Sequence, residues 1–208
     1  MSDKQSGPAA RPARRRRSRA ERARENREAL LNAAAEIVRE SGYDGATIAE
    51  VTKRAGLSLG SFYQYFESRD DLFHQLLPAI GAKLIAVLAQ ETQDTTSAVE
   101  EEEKAINAYF DYVTPANPIM RVFTEAEVYA PDAYDAHMEN VLGKYAKALR
   151  RQQANGDYQG FDEREIEAVA LMLTYARVVF YKHYTSKEDD AWVRRAFVKI
   201  IRALSAGV

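Results

Sequence analysis

The chain has no cysteine. That excludes disulfide scaffolds, Cys-ligated zinc, iron–sulfur clusters and thiol catalysis together. Six prolines and ten glycines among 208 residues are too few for a collagenous or low-complexity chain. Runs of alternating polar and apolar residues are missing, which argues against strands. No apolar stretch reads as a membrane span. The first one, residues 29–38, is interrupted by Asn32 and Glu36 and so does not read as a signal peptide. Three histidines without ligand-like spacing predict neither a metal site nor a cofactor. What remains, 46% hydrophobic and 29% charged, suits one ordinary globular chain of the cytoplasm.

The formal net charge of -2 is unevenly divided. Residues 1–27 hold ten Lys/Arg against three Asp/Glu, whereas residues 28–208 carry a net charge of -9. Residues 1–22 form a basic arm containing Arg14, Arg15, Arg16, Arg17 and Arg19, with no large apolar side chain beyond Met1. Such a segment cannot offset its ordering entropy by burial and is expected to be disordered alone. It reads either as a solvated tail or as an attachment to phosphates, whose counterions arginine releases.

From Arg22 onward the apolar residues fall at helical spacing, which predicts an all-α protein. The first helix is expected over residues 24–41, ended by Gly42. Thr47-Ile48-Ala49-Glu50 is a capping box that starts a short second helix over residues 47–54. After Gly56, Ser58 caps a third helix reaching residue 66, and Ser68 caps a long fourth one to residue 89. Two short helices joined by a glycine-containing turn form a helix-turn-helix pattern. On the third helix, Phe62 and Phe66 share the core stripe with Leu57, Ile48, Val51 and Ile37. The other side carries Ser58, Leu59, Gly60, Ser61 and Gln64, small and hydrogen-bonding groups suited to a major groove. Thr47, Tyr63, Tyr65 and Arg69 offer hydroxyls and a guanidinium to backbone phosphates.

The run Ala55-Gly56-Leu57-Ser58-Leu59-Gly60-Ser61-Phe62-Tyr63-Gln64-Tyr65-Phe66, with Gly42-Tyr43 and Thr47-Ile48 before it and Ser68-Arg69-Asp70 after it, closely resembles the DNA-binding segment of the TetR family of bacterial transcriptional regulators. The resemblance covers about residues 30–77. It implies an N-terminal three-helix DNA-binding domain, a larger helical effector and dimerisation domain, and a homodimer on a palindromic DNA operator. It also implies repression relieved by a small-molecule effector. Carried over by position, the base-reading residues are Leu59, Gly60, Ser61 and Gln64, and the phosphate-contacting ones Thr47, Tyr63, Tyr65 and Arg69. The expected domains are residues 23–75 and 76–208. Gly56-Leu57-Ser58-Leu59-Gly60 also satisfies the G-x-S-x-G pattern of esterases. That motif needs a strand before the serine, and the flanks here are helical, so no catalytic residue is assigned.

The fourth helix contains Pro78, which removes a backbone hydrogen bond and predicts a kink near residues 73–77, read either as a hinge that tilts the helix on ligand binding or as a fixed bend that accommodates packing. Ser97 caps a fifth helix whose opening run, residues 100–103, is four glutamates, read as complements to the helix dipole. Prolines and Asn155-Gly156 divide the rest into helices over residues 118–129, 131–153, 162–185 and 190–204. In the last two, Ile166, Leu173, Phe180, Tyr184, Val193, Phe197, Ile200 and Leu204 are the expected dimer face. Nine of twelve tyrosines follow residue 75. Tyr109, Tyr112, Met120, Phe123, Met138, Tyr175 and Phe180 lie on helices that the family resemblance places around an effector cavity. Apolar walls with a few polar tips predict a mostly apolar effector.

Overall fold

A computed structural model describes residues 18–184 and 191–206, so Arg14–Arg17 of the arm lie outside the described residues. The described residues form nine helices: α1 (Arg19–Gly45), α2 (Ile48–Ala55), α3 (Leu59–Phe62), α4 (Arg69–Thr92), α5 (Ala98–Tyr112), α6 (Ile119–Tyr129), α7 (Pro131–Ala154), α8 (Glu163–Tyr184) and α9 (Ala191–Ser205). The all-α expectation holds, and most boundaries fall within one or two residues of those read from caps and breakers.

The start of α1 is a correction. The helix opens at Arg19 rather than inside a disordered arm reaching residue 22, because Ser18 and Glu21 close a capping box. The Ser18 hydroxyl accepts from the Glu21 amide at 3.1 Å, and the Glu21 carboxylate takes the Ser18 amide at 2.6 Å. At the other end the backbone leaves helical geometry at Gly42 (φ 75°), the left-handed region glycine enters without strain. At α2, Thr47 accepts from the Glu50 amide at 3.2 Å, but the Thr47 amide goes to the Gly45 carbonyl, so only half the expected box forms.

Helix α3 is shorter than expected. After Phe62 the chain tightens into turns, with Gln64 donating to the Ser61 carbonyl and Tyr65 to that of Phe62. Phe62 and Phe66 are buried against each other, with centroids 5.5 Å apart, in the core of α1, α2 and α4.

Helix α4 runs through Pro78, which is on the exposed side. Contrary to the sequence reading, this 24-residue helix is long and apolar enough by composition to cross a membrane, with a mean hydropathy of 1.6 over 18 residues. Its apolar side, including Leu72, Phe73, Leu76, Leu77 and Ile80, is buried in protein instead. The helix belongs to both parts of the molecule, since it packs on α1 as well as on α5, α6 and α7.

Candidate functional site

The helix-turn-helix presents its expected reading edge outward. Leu59 is 54% exposed and Tyr63 57%, with Gly60 and Gln64 also open and Ser61 half-buried. Ser58 caps α3 by accepting from the Ser61 amide at 3.2 Å, while the two serine hydroxyls lie 2.8 Å apart. The Ser58 hydroxyl is thus engaged in the cap. A Cβ on Gly60 would meet only the Ser58 hydroxyl, at 4.0 Å, so packing does not require glycine here. Thr47 is exposed at the start of α2. Tyr65 is half-buried, and its hydroxyl accepts from Asn26 of α1 at 3.1 Å.

Arg69 departs from the sequence expectation. Its guanidinium donates to the carbonyls of Tyr43, Asp44 and Ala46, and it lies 4.8 Å from the Phe73 ring. A cation that closes the carbonyl end of α1 ties α4 to α1 rather than standing free for a phosphate.

A second site lies between α4, α5, α6, α7 and α8, around a cavity of about 340 Å³. Tyr109, Met120, Phe123 and Met138 line it as expected. Tyr112, Tyr175 and Phe180 do not. Tyr112 faces a separate groove with Val87 and Asp111, Tyr175 is exposed on α8 beside Tyr134 of α7, and Phe180 packs on Phe197 and Tyr184. Most of the wall is apolar, with Leu84, Ile85 and Leu88 from α4, Ile119 from α6 and Val141 from α7.

Into this wall is set a buried polar cluster that the sequence reading did not assemble. Arg177 of α8 donates to Glu102 of α5 at 2.6 Å and to the Tyr145 hydroxyl of α7 at 3.1 Å. The guanidinium lies against the Tyr145 and Phe197 rings, at 4.7 and 5.4 Å. Burial pushes the Glu102 carboxyl up, and Arg177 beside it pulls it back only in part. Burial works against the Arg177 charge, but Tyr145 and Glu102 together raise its pKa. The four glutamates of α5 therefore do not form a uniform dipole complement: Glu100 pairs with Lys104, Glu101 with Arg151, and Glu102 is interior. At the α6 end of the cavity, Gly81 lets the His137 ring lie directly against α4. Burial, and then Lys144, hold the His137 pKa below the ordinary imidazole value.

One helix touches both sites. Ile119, Met120 and Phe123 of α6 face the cavity. Other positions of α6 grip the end of α1: the Tyr43 amide donates to Glu125 at 2.9 Å, the Tyr43 hydroxyl to the Val122 carbonyl at 3.3 Å, and the Tyr129 hydroxyl to Asp44 at 2.7 Å. Arg121 joins Glu125 at 2.7 Å and the Arg39 carbonyl at 3.0 Å, while Tyr43 stacks on Tyr129 at 5.1 Å. This latch closes over Gly42, where a Cβ would stand 2.9 Å from both Arg121 and Glu125.

The expected dimer stripe is mostly turned inward. Ile166, Leu173, Val193 and Phe197 are buried in their own subunit, and Phe180, Tyr184 and Leu204 are half-buried against its core. Of that set only Ile200 is exposed. The open apolar face of α8 is the neighbouring stripe of Leu171, Met172, Tyr175 and Val179, with Trp192 and Ile200 on α9. The same helical stripe that carries Ile166 and Leu173 also carries Arg177, whose partner Glu102 lies inside.

Among the described residues no cluster of His, Asp or Glu has the grouping of a metal site.

Comparison with known proteins matches residues 30–76 to the family described as bacterial regulatory proteins, tetR family. The transcriptional activator FasR of Mycolicibacterium smegmatis is 34% identical over 89 residues, which make up 43% of this chain but only 41% of FasR. The chain therefore spans less than half of that relative's length. The transcriptional regulator BetI of Escherichia coli is 28% identical over 140 residues, 62% of this chain and 72% of BetI. The solved structure of the fatty acid degradation regulator FadR from Bacillus halodurans shares the fold, with a TM-score of 0.69 at 15% identity, over 85% of this chain and 94% of that one. Residues 30–76 thus carry the segment of the tetR family of bacterial regulatory proteins, within a helical architecture shared with that solved structure.

Proposed function

We propose that the protein is a cytoplasmic DNA-binding transcriptional repressor that grips a palindromic operator as a homodimer and is released by a small, mostly apolar effector. The observation that carries this reading is the double contact of α6, which walls the cavity on one side and latches the end of α1 on the other. An effector that presses on Met120 and Phe123 displaces the helix that holds Tyr43 and Asp44, and with them the reading head. Arg69 passes the same displacement to α4 through the α1 carbonyls. Because α4 contributes to both domains, Pro78 is the place where its axis bends in response. Pro78→Ala with unchanged operator affinity and unchanged release would remove the hinge from this account.

In the complex, Leu59, Gly60, Ser61 and Gln64 meet base edges, while Thr47, Tyr63 and Tyr65 meet phosphates. Arg69 acts as a positioning residue. The arm supplies sequence-independent attraction, because residues 28–75 alone carry a net charge of -4. The second copy docks on Met172, Tyr175 and Val179 of α8 with Trp192 and Ile200 of α9. A twofold pairing there sets two reading helices about one DNA turn apart, roughly 34–36 Å.

A gel-shift titration on DNA flanking the protein's own gene, against random competitor, tests the reading. Tight, competitor-resistant binding to a palindrome is the expected result. Binding no tighter than to random DNA would count against a repressor of its own gene.

A further inference from the structure

The lining of the cavity is drawn out along two helices. Along α4 its lining runs from Gly81 to Thr92, about 16 Å at the helical rise, and along α7 it runs beside that from His137 to Arg151. A lining drawn out over that length, and apolar for most of it, suits an extended chain. Its charges are also unequal. Three cations, Lys144, Arg151 and Arg177, face two carboxylates, Glu101 and Glu102.

Those cations are not equivalent. Both oxygens of Glu101 hold Arg151, at 2.7 and 2.8 Å, so it is already matched. Arg177 gives only Nη2 to Glu102 and Tyr145, while its Nε is buried without an acceptor. Lys144 is exposed at the rim, next in sequence to Tyr145, and among the described residues it is in no ion pair. An under-used buried guanidinium and an unpaired ammonium therefore both line the cavity. Between Lys144 and His137 lie about 10 Å of α7, and Met120, Phe123 and Met138 line the same cavity.

We infer that the cavity takes an unbranched amphiphile with a carboxylate head, the head held by Arg177 and Lys144 and the apolar tail directed at α6. This rests on the reading of the cavity as an effector site. It assigns Glu102 the role of a stand-in, occupying Arg177 until a ligand carboxylate arrives. A guanidinium presents a fork of donors, so two carboxylates share it along different edges.

Calorimetric titration of the full chain with decanoate, decanol and decylammonium, all below their micellar range, tests the inference. Decanoate is expected to bind at least tenfold more tightly than decanol, with decylammonium weakest. Lys144→Gln, an exposed change that leaves folding intact, is expected to reduce the preference for decanoate severalfold. Glu102→Gln frees the guanidinium and is expected to increase decanoate affinity and the thermal shift decanoate produces, an effect a purely structural ion pair would not give. Equal binding of decanol, an unchanged preference in Lys144→Gln, or weaker decanoate binding by folded Glu102→Gln would each overturn the inference. Decanoate that binds with this selectivity yet leaves the protein–DNA complex intact upholds the ligand class and refutes release. Failure of decanoate to bind, where another compound does release the DNA, refutes the ligand class alone.

Discussion

The reading head and the cavity domain use polar side chains in opposite ways. In the head, Thr47, Ser58 and Ser68 cap helices by accepting from amides three residues on, at 3.0–3.2 Å, and Leu59, Gly60, Tyr63 and Gln64 between them are exposed. In the cavity domain the decisive polar contact joins Glu102 to Arg177 across 75 residues and is buried. The head separates what holds it together from what it presents, so under the proposed function its surface is free to vary with the operator. Under the proposed function, the cavity domain asks the same residues to stabilise the fold and to meet a ligand.

The largest effect on stability is expected where these two duties coincide. Arg177→Ala leaves Glu102 buried without its cation and should cost roughly 3–5 kcal/mol in urea unfolding. A loss near zero would place the pair outside the core's energetics. Next comes the latch between the domains: Gly42→Ala combines positive φ with close approach to Arg121 and Glu125, and should cost about 1–3 kcal/mol while weakening effector response. Ser18→Ala removes the cap of α1 and should cost about 1 kcal/mol.

A smaller effect depends on pH. His137 is held neutral in the folded state, so the unfolded chain takes up the proton first. Stability should fall as pH drops through the unfolded imidazole value, near 6.5, until the folded imidazole also protonates. His137→Gln should flatten that part of the profile, as followed by circular dichroism. The smallest change is expected in the head. Gln64→Ala and Gly60→Leu should alter stability by less than about 0.5 kcal/mol yet weaken operator binding at least tenfold, roughly the discrimination one base contact provides. If either variant lost stability instead, the separation of duties in the head would fail.

What was legible in the sequence follows the same division. Helix starts at Ser58, Ser68 and Ser97 are set by neighbours three residues away, so they can be read locally. The cap at Ser18 carries the same signature, but it adjoins an arginine run and composition obscured it. Glu102 looks like one of four equivalent acids. Yet it stands four residues after buried Ala98 and four before buried Ile106, within an apolar stripe of α5. Arg177 likewise follows Leu173 on the inner stripe of α8. Two opposite charges, each on a core-facing stripe, signal a buried pair. That signal also shows that the stripe of Ile166 and Leu173 faces inward, leaving the Met172 side exposed. Arg69 was harder to read, because the carbonyls it closes lie 23–26 residues away and no pattern in the chain marks them.

The Tyr43 amide has a further use. Its proton is held by a carboxylate 82 residues away, so exchange with deuterated solvent requires Glu125 to swing aside. One resonance therefore clocks the opening of the junction between α1 and α6, in the free protein and without any DNA present.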